Sequence, residues 1–85
     1  MDIIQGREKM LPRVSHVEAC SDCVLIITFT NGERKKYNAK ILLDLPMYKN
    51  LEKVFMSARV EFGTVTWPGD MDISPDTLYL NSTKI

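Results

Sequence analysis

Three groups of residues have types and spacing that bear on chemistry: the CxxC segment Cys20-Ser21-Asp22-Cys23, the aspartates Asp70, Asp72 and Asp76, and the single histidine, His16. A zinc centre takes four ligands, and besides the two thiols the chain offers only His16, so such a centre would have to be shared across a dimer. A thiol-exchange motif belongs at the start of a helix that follows a strand, and here a strand pattern follows instead. The expectation is a turn between strands with both thiols reduced. Asp70-Met71-Asp72 lacks the later ligands, the glycine and the distant glutamate of an EF-hand loop, and Asp72, just before a helix start, is expected to bond local backbone amides. His16 has no Ser or Asp partner recognisable by spacing, so no nucleophilic triad is legible. The reading is therefore no catalytic residue, no metal, no cofactor and no enzyme.

A binding surface is the other chemistry on offer. Arg34, Lys35, Lys36 and Lys40 surround Tyr37, whereas residues 61–76 hold Glu61, Asp70, Asp72 and Asp76 with no basic residue. Eleven basic and eleven acidic side chains cancel overall, so a general attraction to nucleic acid or anionic lipid is missing. The segregation still gives a dipolar surface that would steer a charged protein, a second copy or, with less support, nucleic acid. The alternative is a solvated edge strand that its lysines guard against aggregation. Candidate binding residues are Arg34, Lys35, Lys36, Tyr37 and Lys40, together with Trp67 and Asp72. Trp67, the only tryptophan, is expected to lie buried under the last helix rather than in a groove.

These residues need a scaffold, and 85 residues suffice for one small core. An apolar fraction of 45% with 26% charged residues suits a folded globular chain. The longest apolar run falls well short of the roughly 20 residues of a membrane span, and no signal-peptide order is visible, so a cytoplasmic protein without a membrane partner is expected. Residues 1–10 read as an N-terminal extension with Met10 as an alternative start, and residues 11–85 as a single domain.

Strands are expected over Arg13–Ala19, over Cys23–Thr30 as the central strand, and after Asn31-Gly32, a strong hairpin signal. A three-residue loop, Thr30-Asn31-Gly32, pairs Phe29 with Glu33 and Leu25 with Tyr37. It sets Tyr37 on the face of Leu25, Ile27 and Phe29, whereas a two-residue loop would put Tyr37 beside Ile26. The Leu- and Met-rich middle is split by Pro46 into helical turns near Lys40–Leu43 and Asn50–Phe55. A second hairpin reverses at Gly63, with Val60 and Phe62 on one face and Val65 and Trp67 on one face of the return strand. Pro68-Gly69 turns the chain. Ser74 then caps a helix with Pro75 at its first position, Asp76 at its positive end and Leu78 as its anchor. The fold class is α+β: a small single domain, mostly antiparallel β-hairpins of about five strands, with short helices mid-chain and at the C-terminus.

Leu25, Phe29, Asn31 and Gly32, followed by Trp67, Gly69, Asp72, Ile73, Pro75, Leu78 and Tyr79, resemble the pattern of the bacterial domain-of-unknown-function family 2442 over about residues 11–80. The resemblance implies a small α+β domain with no assigned activity or catalytic residues. Some members of that family carry a helix-turn-helix module after this domain, and others are small proteins thought to pair with a toxin-like neighbour. The chain ends at Ile85, and no such module is expected here. Two functions follow as expectations. One is a non-enzymatic interaction module, antitoxin-like or accessory to a small partner protein, or self-associating. The alternative is a regulatory nucleic-acid or small-ligand binder using the Arg34–Lys40 surface.

Overall fold

Alternation in "VLIITF" places Leu25, Ile27 and Phe29 on one face of a strand and Val24, Ile26 and Thr28 on the other. The computed structural model, which describes residues 11–85, shows this strand, β2 (Val24–Phe29), between β1 (Val14–Cys20) and β3 (Arg34–Asn38). The expected extension over residues 1–10 lies outside the described residues. Leu25, Ile27 and Phe29 are buried, and the opposite face is half-buried. Phe29 N–H donates to Glu33 O at 2.8 Å, Gly32 N–H closes the loop on Phe29 O at 2.9 Å, and Leu25 pairs with Tyr37. Gly32 takes φ +90°, the left-handed conformation this loop requires. Tyr37 accordingly lies in the core, so the three-residue register holds.

A second antiparallel sheet holds β4 (Arg59–Glu61), β5 (Thr64–Trp67) and β6 (Met71–Ile73) in that order. One expectation fails here. Phe62 does not share a face with Val60, because β4 ends at Glu61 and Phe62-Gly63 forms the turn itself, with φ of 55° and 75°. Two positive φ values make the mirror-image turn whose twist matches a hairpin, and they rotate the Phe62 ring away from the core. Val65 and Trp67 do share the buried face, opposite Ile73 and Met71.

Among the described residues seven strands form where about five were expected. The additional ones are β6, after the Pro68-Gly69 turn, and the two-residue β7 (Thr83–Lys84), which pairs with β3 to complete the order β1-β2-β3-β7. Neither carries enough alternation to be read alone; β6 forms by pairing back across the turn onto β5, and β7 by pairing with the distant β3. The two sheets meet where β1 packs against β4, and Val14 N–H donates to Gly63 O at 2.9 Å.

Between the sheets in sequence lie short helical turns at Ala39–Asp44 and Pro46–Tyr48, then α1 (Leu51–Val54) and a further turn at Phe55–Ser57. Asn38 Oδ1 caps the first by accepting from Lys40 N–H at 3.0 Å. Leu45 is extended (φ −97°, ψ 134°) ahead of Pro46, because the proline ring disfavours a helical predecessor. The last helix, α2 (Pro75–Asn81), begins as expected: Ser74 Oγ accepts from Asp76 N–H at 3.2 Å, and Leu78 is fully buried. The whole is α+β, with the helical turns covering the core side of the two sheets.

Trp67 is buried, stacks on Phe55 at 6.0 Å between ring centroids, and donates its indole N–H to Phe55 O at 3.1 Å. At the other end of the core Tyr79 of α2 packs edge-on against Phe29, and its hydroxyl donates to Glu33 Oε1. That bond, with a second from the Asn31 amide, holds the Glu33 carboxyl below its ordinary pKa, and the same bond raises the Tyr79 phenol.

Two outcomes are expected. Trp67→Phe removes the indole N–H from the Phe55 carbonyl, which keeps only the Ala58 N–H, and leaves a smaller ring in a packed site; it should cost about 1–3 kcal/mol of stability in urea unfolding. For Tyr79→Phe the loss is pH-dependent. Glu33's lowered pKa means its contribution is complete above the unfolded carboxylate pKa and disappears as pH falls through the folded value. Tyr79's raised pKa means its contribution is complete below the unfolded phenol pKa and disappears as pH rises through the folded one. Unfolding curves of wild type and Tyr79→Phe should therefore differ most at neutral pH and converge in acid.

Candidate functional site

The basic run does not form one surface. A strand's side chains alternate, so Arg34 and Lys36 are exposed on the outer face of the four-stranded sheet, while Lys35 and Tyr37 turn inward. Lys35 Nζ donates to Tyr79 O at 2.9 Å and lies 3.9 Å from the centroid of the Tyr79 ring, placing a cation near the carbonyl end of α2. Its work is structural. Lys40, exposed in the turn after β3, joins Lys36, Asn38, Val24 and Thr83 around a depression of about 260 Å3 that also has Asp22 on its wall. Nor is β3 an edge strand, since β7 covers it at Lys35 and Lys36.

Trp67 and Asp72 sit in the other sheet. Trp67 is buried, as expected, but the ring it stacks on is Phe55 of the mid-chain turns, where the last helix was the expected partner. Asp72 is exposed, and the contact it makes is through its backbone: its carbonyl accepts from Tyr48 Oη at 2.7 Å, where a side-chain bond to nearby amides was expected. Asp70 and Asp76 are also exposed, Asp70 at φ 63° in the turn before β6 and Asp76 in the first turn of α2. Cys20 and Cys23 are free thiols, Cys20 just before and Cys23 at the end of a short 3-10 turn (Ser21–Cys23) that leads directly into β2, so the segment is a strand connection. His16 is exposed on β1 opposite Thr28. Among the described residues no three His, Cys, Asp or Glu side chains converge as metal ligands would.

One concave apolar surface was not legible in the sequence. Pro46, Met47 and Val54 on one side and Pro68 and Met71 on the other line a groove of about 320 Å3, with Lys49 and Asn50 at its rim. Met47 is 65% exposed and Leu45 46%. Tyr48 fixes one wall to the other: buried between them, it donates to the Asp72 carbonyl of β6. Burial, and then the Asp72 charge, raise the Tyr48 phenol, so it stays a protonated donor throughout the neutral range. The sequence signal was a surplus: the Pro46-split segment holds more Leu and Met than helical turns so short can bury.

No helix among the described residues is long and apolar enough to cross a membrane. Comparison with curated proteins and with solved structures finds no match to this chain. Residues 14–84 match a family described as a protein of unknown function, DUF2442. That span runs from the first residue of β1 to the last of β7 and so takes in both sheets and both helices. The chain belongs to the DUF2442 family.

Proposed function

We propose that the chain is a non-enzymatic protein-interaction module of the bacterial cytoplasm, which takes an apolar segment of a small partner protein into the groove between Pro46–Val54 and the Pro68-Gly69 turn. The observation that carries this reading is the groove itself. It is concave, walled by proline and methionine side chains, and braced by the Tyr48–Asp72 bond. Exposed Met47 suits a partner's apolar anchor, because an unbranched thioether chain adapts to the shape it meets. Antitoxin-like or accessory binding to one small protein fits such a surface. The alternative, a nucleic-acid or small-ligand site on the Arg34–Lys40 surface, is weakened by the inward turn of Lys35 and Tyr37. Arg34, Lys36 and Lys40 remain on the outer face without an aromatic platform for bases.

The test is comparative capture from the native host with wild type, Met47→Asp and Lys36→Glu, after nuclease treatment, at low and high salt. One small protein recovered in fixed proportion, retained at high salt and by Lys36→Glu, and lost at least about tenfold with Met47→Asp is the expected result. Recovery that depends on Lys36 and collapses with salt, or nucleic acid recovered when nuclease is omitted, would transfer the function to the basic face.

A further inference from the structure

Phe62 is anomalous twice over. It is 93% exposed, and it takes φ 55° in the first position of a two-residue turn, where Asn or Asp before Gly is favoured and a bulky side chain is strained. Neither burial nor turn chemistry within one copy accounts for the ring, since a small polar residue would improve both. No contact among residues 11–85 buries it, which leaves the ring available to a second copy of the chain. Phe62 borders a depression of about 310 Å3 that includes the exposed carboxylates Asp70 and Asp72, while Glu61 in the same wall is held by Arg59 Nε at 3.1 Å. An apolar tip beside two acidic groups calls for an apolar patch beside basic ones.

The chain carries that complement on its own four-stranded sheet. On the outer face Ile26 is half-buried in a cross-strand row between Glu18 of β1 and Lys36 of β3, with Arg34 two residues from Lys36 on the same face. The geometry points to head-to-tail self-association, in which the Phe62 hairpin of one copy seats on the outer sheet face of the next. The ring covers Ile26, and Asp70 and Asp72 face Arg34 and Lys36. Glu18 and Asp22 bear on the same face from β1 and the turn after it, and their charge directs the acidic hairpin to the β3 side. Because the two surfaces differ, the contact propagates into a ring or an open chain instead of ending at a two-fold dimer. The acidic depression shares Pro68, Gly69 and Met71 with the apolar groove, but Phe62, Asp70 and Asp72 lie outside the groove's lining, so substitutions at those three distinguish this contact from a partner held there.

The experiment is light scattering and sedimentation of the full chain over a concentration series at low and high salt. Wild type should gain mass with concentration and lose it with salt. Phe62→Asn should weaken association at least about tenfold while raising the melting temperature by a few degrees, because it repairs the turn. Two charge-reversed proteins, Asp70→Lys/Asp72→Lys and Arg34→Glu/Lys36→Glu, should each fail to associate alone and should associate when mixed, since each then presents what the other needs. A wild type that stays monomeric at every concentration, an oligomer indifferent to Phe62→Asn, or charge-reversed proteins that stay silent on mixing would overturn the proposal. Loss of stability in Phe62→Asn would also overturn it, by giving Phe62 a role inside the single chain.

Discussion

The buried indole of Trp67 sets the terms for the rest of the molecule. A tryptophan N–H removed from water must find an acceptor, and the one it finds is the Phe55 carbonyl, in a turn twelve residues earlier. That bond and the stacked Phe55 ring hold the irregular middle of the chain against the three-stranded sheet. Short helical turns have little stability of their own. Docked on Trp67 and sealed by Leu51, Tyr48 and Leu42, they become the lid of the core. The segment Thr64–Leu80, the most distinctive in the sequence, is thus largely a structural corner. It supplies the buried strand, the turn, the helix cap and the Leu78 anchor.

A second tie works at the opposite end of the core. Glu33, Lys35 and Tyr79 connect the first hairpin to α2 through a phenol-to-carboxylate bond, an ammonium on a helix carbonyl and the same ammonium over the ring. These polar contacts lie close to water, so their value is in orientation more than in free energy. They explain why a basic run leaves only alternate residues for binding. Lys35 is committed to α2 and Tyr37 to the core, and the surface reads Arg34, Lys36 and Lys40 alone.

Function follows from what the core leaves outside. Met47 lines a groove that the fold builds and does not fill, and Phe62 stands on a strained turn. Both are apolar groups placed on surfaces where monomer stability gains nothing from them. The acidic hairpin end and the basic sheet face are separate in space as well as in sequence. A net charge of zero therefore conceals two surfaces of opposite character.

The residues alone determined whatever a few neighbours can decide. Asn31-Gly32 dictates its loop because Gly32 supplies the left-handed residue, and Ser74-Pro75 starts a helix because one oxygen and one missing amide suffice. Pro46 breaks the middle segment through a clash with the residue before it. The same holds for the family resemblance, carried by Phe29, Asn31, Gly32, Trp67 and Pro75, and for the burial of Trp67. Tertiary structure decided what depends on partners far along the chain. Thr83–Lys84 becomes a strand only because β3, far back along the chain, offers it an open edge. Phe62 was read as a strand residue because alternation with Val60 is a local pattern, and the turn that exposes it is set by the pairing of Glu61 with Thr64. The groove joins residues about twenty positions apart, across a lid held by the Trp67–Phe55 contact and the Tyr48–Asp72 bond. Short-range sterics are written in the sequence; concave surfaces arise only when separate segments meet.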